Sequence, residues 1–315
     1  MKHLKYRNAF TLIELLFVIV IMGIVGGLAI ESMRQYYDGI YRTGEYTKRV
    51  AEADHILEQI AGYFENAISS SIIRLDEDNA VFGSQCVGVP KTGDDNKDYT
   101  IAFVAVDSDG LRGYWDNNST RWRPGWSSNG TSLGHMFISS DSNYTAMDNM
   151  AQLDQNDATR AAIFRSDGVG EGVDECHRYG WAPTLNTNDV YGRILSVVSD
   201  HNITLDQVIS TSGETNRGYL MRTAYAFRAR DGVFNMYSGF EPWNGERYSS
   251  VSGRLLGDKV THFAILYDNS NMAINSNIGN VYTLKICMQG VDENLSDSNV
   301  SINQICRERI VHVRY

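Results

Sequence analysis

A chain of 315 residues with 43 % hydrophobic and 21 % charged residues has the composition of a folded protein, which excludes a disordered or low-complexity chain. Its net charge is −10, and because Lys2, Lys5 and Arg7 give the first nine residues +3, everything beyond them carries −13. An acidic body of this kind argues against nucleic acid as a partner, since phosphate binding needs a basic surface.

The chain opens on a short basic stretch, residues 1–9. Across residues 10–30 only Glu14 is ionisable. As a helix this run spans roughly 30 Å, the thickness of a bilayer's hydrocarbon core. Basic residues precede it, while Glu31, Asp38 and Glu45 follow it among Arg34 and Arg42. The positive-inside rule therefore puts the N-terminus in the cytoplasm and the long remainder outside. Tyr36, Tyr37 and Tyr41 fall where interfacial aromatics are expected. A cleaved signal peptide would end at small residues, and Gly26-Gly27 imitates such a site, but helix-compatible residues run on to about Ile68. A plain signal-anchor explains everything except Glu14, because a charge inside a membrane helix is expensive. A cut between Ala9 and Phe10 accounts for it. Phe10 then carries a new α-amino group, and between parallel helices offset by about a turn, Glu14 meets the Phe10 ammonium of its neighbour.

The run Arg7-Asn8-Ala9-Phe10-Thr11-Leu12-Ile13-Glu14-Leu15 resembles the leader and cleavage site of the type IV pilins and the type II secretion pseudopilins. The resemblance implies removal of the leader by prepilin peptidase between Ala9 and Phe10 and N-methylation of Phe10. It also implies that Glu14, at the fifth mature position, guides docking onto other pilins or pseudopilins at an inner-membrane assembly platform. The residue before the cut is usually Gly in that family, and here it is Ala9. Residues 1–9 are then a leader, 10–30 a transmembrane and filament-core helix, 31–75 an amphipathic helix entering the head, and 76–315 an extracytoplasmic head. The fold expected is α+β and pilin-like: a long N-terminal helix packed on an antiparallel β-sheet head with a large loop-rich insertion. The resemblance further implies a single-pass inner-membrane protein with a periplasmic head that ends in a filament or at the cell surface.

Beyond the apolar run, Val50, Asp54, Leu57, Ala61, Phe64 and Ile68 recur at helical spacing, widened by Ala53, Ile60 and Ala67. Asp54 is the polar exception in this stripe. Gly39, Gly44 and Gly62 weaken the helix locally, and its end is expected between Ser69 and Asp76. Strands are expected at residues 101–106, 260–267, 281–288 and 306–315, and a hairpin at 224–237 turns at Asp231-Gly232. The final series of strands also resembles, more weakly, the C-terminal region of larger minor pilins and pseudopilins. Between Asp107 and Arg222 the chain is rich in Gly, Asn, Asp and Ser and holds Trp115, Trp122, Trp126 and Trp181. It reads as an elaboration of the head with short helices near 146–164 and 190–198. Its tryptophans serve either as core or as a contact surface.

Cys86, Cys176, Cys287 and Cys306 show no CxxC spacing and suit two disulfides in an oxidising compartment, with three pairings open. Four buried thiols are the alternative. No HExxH, GxSxG or P-loop pattern occurs, Gly168-Val169-Gly170-Glu171-Gly172 neither ends a strand nor opens a helix, and Cys176-His177 lacks an orienting partner. No enzymatic activity is expected and no cofactor is required. Calcium has two incomplete candidate loops, Asp94-Asp95-Asn96-Lys97-Asp98 and Asp107-Ser108-Asp109-Gly110, for which solvated turns are the competing reading. Asn118, Asn143, Asn202, Asn294 and Asn299 each sit in an Asp-x-Asn-x-Ser/Thr sequence, a glycosylation acceptor pattern that a chain of this composition also produces by chance. The alternative to a filament subunit is a membrane-anchored extracytoplasmic binding module that never polymerises.

Overall fold

A computed structural model describes residues 11–75, 86–88, 99–117, 119–123, 125–151, 161–165, 179–181, 191–208, 215–267, 281–290 and 304–313. One helix, α1 (Leu12–Phe64), runs unbroken for 53 residues, or roughly 80 Å. Gly39, Gly44 and Gly62 lie inside it without ending it. Up to Lys48 it is exposed apart from partial cover at Gly26 and Glu45; from Arg49 onward one stripe is buried. That stripe is Ala53, Ile56, Leu57, Ile60, Ala61 and Phe64, the spacing of a helix face laid on a sheet.

The expected helix end is corrected. α1 stops at Phe64, and the apolar residues that seemed to prolong it are buried in a different way. Ala67 bridges to Ala105, the Ile68 N–H donates to the Val104 carbonyl, and β1 (Ile73–Leu75) follows. The serines between them are weak helix formers that compete for backbone groups. The Ser71 hydroxyl donates to the Ile68 carbonyl at 2.6 Å and accepts from the Val104 N–H at 2.9 Å.

The largest sheet is organised around β11 (Thr215–Arg230), sixteen residues long. Its second half lies antiparallel between β3 (Thr100–Val106) and β12 (Val233–Phe240). Its first half pairs with β6 (Asn129–Leu133) and β8 (Ala162–Arg165). On β3 every residue is buried, because both faces of the sheet are covered. Ile101, Phe103 and Ala105 face α1 and its cluster, while Ala102, Val104 and Val106 join the cluster beneath the elaboration. The helix side is aromatic: the Phe64 and Phe103 ring centroids are 4.3 Å apart, and Phe227 sits within 6.3 Å of Phe103, Phe234 and Phe263. At the expected turn Asp231 and Gly232 both have positive φ, 52° and 76°, as a tight hairpin of this type requires.

A second sheet of β14 (Val260–Tyr267), β15 (Val281–Gln289) and β16 (Gln304–His312) covers the rest of the helix stripe, close to the ranges expected. Asp54, the odd residue in that stripe, is held by both forks of Arg307 from β16, at 2.9 and 3.2 Å. Cys287 and Cys306 face each other in register across β15 and β16 and form a disulfide.

The elaboration is also corrected. Residues 190–198, expected as a helix, form β9 (Tyr191–Ser199), which pairs with β8 and with β10 (Asn202–Leu205). Val197, Val198 and Gly192 disfavour a helix there, and partners on both sides decide for strand. The helix expected at 146–164 is only α3 (Tyr144–Ala151), and residues 162–165 belong to β8. Trp126 and Trp181 are core residues on this side of the sheet. Gly130 and Gly218 let Phe137 pack between strands: a Cβ on either would stand within 2.5 Å of its ring.

Arg49 is a buried cation without a signal in the helical pattern. Its guanidinium lies 2.9 Å from Glu52 and 3.9 Å from Glu45 on α1, and 3.9 Å from Asp258, where β13 (Arg254–Asp258) ends. It ties the helix to the head where the exposed stem begins. Arg49→Ala should destabilise the head by about 1–2 kcal/mol, chiefly through lost packing of its stem, since the carboxylates can rehydrate. Urea unfolding of the full chain in micelles measures it, and an unchanged midpoint would contradict the assignment.

Candidate assembly site

The start of α1 is built by Thr11 and Glu14. Thr11 has extended backbone dihedrals, φ −75° and ψ 148°, and caps the helix. Its hydroxyl accepts from the Glu14 N–H at 3.4 Å, while Glu14 Oε2 accepts from the Thr11 N–H and the Thr11 hydroxyl, each at 3.0 Å. This is a reciprocal capping box that satisfies backbone donors the helix would otherwise leave open. The Glu14 carboxylate therefore has a role within its own chain before any neighbour arrives. Thr11 is the functional residue that the sequence reading missed. Its signal was present, since Thr-x-x-Glu ahead of an apolar run is the capping-box pattern. Ala9 and Phe10 lie outside the described residues.

Beyond this cap, α1 is the one helix among the described residues that is long and apolar enough to cross a membrane. Leu12, Ile13, Leu16, Ile19, Met22, Leu28 and Ile30 are all exposed on it. A stem with that surface has to be covered by lipid or by other stems.

The remaining candidates are dispersed. Cys86 lies in β2 (Cys86–Gly88), and Cys176 falls outside the described residues. Asp107 caps the short helix α2 (Ser108–Arg112), accepting from the Gly110 N–H at 3.3 Å, and Asp109 lies 3.9 Å from Arg112. The other calcium candidate, residues 94–98, is outside the described residues, within which no group of three metal-ligating side chains occurs. Asn143 has its amide committed: Nδ2 donates to the Tyr114 hydroxyl at 3.0 Å and Oδ1 accepts from the Ala146 N–H at 3.0 Å. Asn202 opens β10 and is half-buried, while Asn118, Asn294 and Asn299 lie outside the described residues. Trp115 and Trp122 face each other across the ribbon of β4 (Tyr114–Asp116) and β5 (Arg121–Arg123), 51 % and 62 % exposed. Their edge-to-face contact at 6.3 Å supports a two-stranded ribbon that would be marginal alone.

Asp107 also makes the head sensitive to pH. Burial pushes its carboxyl above the usual range and Asp109 adds to this, while Arg222 and the Gly110 N–H pull it down. An acid with a raised folded pKa binds its proton more tightly in the native state. Its charge therefore costs stability above the raised pKa, and that cost disappears as pH falls toward the ordinary aspartate value of about 3.9. Asp107→Asn keeps the cap and removes the charge. Its melting temperature should depend less on pH across that interval than the parent's, and parallel slopes would contradict this reading.

A helix whose first half is long and apolar enough to cross a membrane and whose second half packs on antiparallel sheet defines a pilin-like α+β architecture. Residues 4–30 match the family described as the prokaryotic N-terminal methylation motif, so the chain carries the prepilin-type N-terminus characteristic of type IV pilins and pseudopilins. Neither the curated proteins nor the solved structures gave a match. The matched motif, together with the apolar helix behind it, supports membrane anchoring of the N-terminus.

Proposed function

We propose that the chain is a minor pilin or pseudopilin, cut between Ala9 and Phe10 and assembled through its stem into a type IV pilus or a type II secretion filament. The observation that carries this reading is the capped, exposed stem, which begins at the Thr11–Glu14 box with Glu14 as the fifth residue after the cut. In the membrane Glu14 holds its own helix cap. On assembly its carboxylate meets the N-methylated Phe10 ammonium of the next subunit, and the paired charges are buried together between stems. The N-terminus begins in the cytoplasm and the head in the periplasm. A head of residues 76–315 is bulky to repeat along a packed fibre, which favours a priming or tip position. With Cys287 and Cys306 joined, Cys86 and Cys176 form the second disulfide.

Mass spectrometry of the N-terminal peptide from membranes tests the processing: N-methylated Phe10 is expected, and an intact Met1 would leave a non-polymerising anchored module. Unreduced peptide mapping should show Cys86 linked to Cys176; free thiols at both would reject that pairing.

A further inference from the structure

A cleft of about 320 Å³ opens where the end of α1 meets the end of β3 and the middle of β11. That volume is at the lower end for ligand pockets, with room for about one or two sugar rings. Tyr63 and Tyr225 stand on one wall with ring centroids 4.9 Å apart. Asn66, Asp107, Ser108, Asp109, Arg222 and Thr223 supply the polar rim. The rim mixes pure acceptors, a guanidinium donor, and amide and hydroxyl groups that both donate and accept. A cationic ligand would meet Arg222 and an anionic one would meet the two carboxylates. A wholly apolar ligand would strand all of these groups without water. An uncharged polyhydroxylated ring satisfies them, because each hydroxyl both donates and accepts while its C–H face stacks on a tyrosine.

We infer that this cleft binds a neutral saccharide. Tyr63 and Tyr225 stack the ring, while Asp109 and Arg222 take its hydroxyls. The cleft lies at the end of α1 opposite the membrane-crossing end. Its exposure at the outer pole of a tip subunit rests on the proposed filament role, whereas binding itself does not.

Saturation-transfer NMR on the full chain tests it, in micelles of an amine-oxide detergent so that no glycoside detergent competes. The probes are maltotriose, N-acetyllactosamine and chitotriose at millimolar concentration, with putrescine and citrate as charged controls. Saturable transfer from at least one saccharide is expected, weakened about tenfold or more by Arg222→Gln and by Tyr63→Ala. Near-UV circular dichroism confirms that each variant is folded, and Asp109→Asn, at an exposed position, gives a third reading if Tyr63→Ala is not. The proposal is overturned by transfer from no saccharide, by transfer unchanged in the folded variants, or by binding of a charged control alone. Silent saccharides with normal filaments reject only the cleft; saccharide binding without filaments rejects only the filament role.

Discussion

Replacing Glu14 with glutamine should abolish filament or secretion function while leaving the protein in the membrane. Glutamine is the informative change because it preserves the capping box, whose third position accepts Glu or Gln equally. Only the charge is lost, and with it the partner for the Phe10 ammonium of the next subunit. Glu14→Leu removes both charge and cap, so it should insert in the membrane as well or better and fail equally in assembly. Sheared-filament yield, with carbonate extraction to verify insertion, reads both variants. If glutamine assembles normally and leucine does not, the carboxylate serves only its own helix, and the intersubunit pairing is wrong. If both assemble, Glu14 has no role in assembly.

Phe227→Ala should cost the head about 3–5 kcal/mol, the range for deleting a fully buried aromatic ring. Phe227 is completely buried and touches the rings of Tyr63, Phe64, Phe103, Phe234 and Phe263. It therefore joins the helix to both sheets, and the site has little freedom to collapse around the void. Against a total stability of about 5–15 kcal/mol, such a loss leaves a head that melts well below its parent. Chemical denaturation followed by near-UV circular dichroism measures it, and a loss under about 1 kcal/mol would mean that the aromatic cluster is not what holds the helix to the sheet.

The two experiments probe parts of the chain that were legible to very different degrees. The stem announced itself through local features: an uninterrupted apolar run, charge on one side, and a glutamate at a fixed distance from the leader. Its capping box is equally local, since Thr11 and Glu14 stand three residues apart. The strands at residues 100–106, 260–267 and 281–289 and the Asp231-Gly232 turn also carry their signal within a few residues. Local pattern is ambiguous where one residue type serves two structures. Ala67 and Ile68 continue a helical stripe in sequence, yet they are buried by pairing with β3, which arrives more than thirty residues later. Residues 191–199 are apolar enough for either element, and β8 and β10 on either side decide it.

What the sequence determined unaided is the long apolar, prepilin-type N-terminus and the presence of a β-rich head, because both follow from periodicity, charge order and turn chemistry along short windows. Only the tertiary structure decided which cysteine pairs with Cys287, which tryptophans are core, why Asp54 and Arg49 are tolerated on a packed helix face, and which side chains meet at the cleft by the end of α1. Most of those contacts join residues distant in sequence, 19 positions apart for Cys287–Cys306 and 253 for Asp54–Arg307. The cleft and the tryptophan core are organised around the long β11, which pairs on both edges and is packed on both faces, and no local pattern specifies which segments will arrive at its two sides.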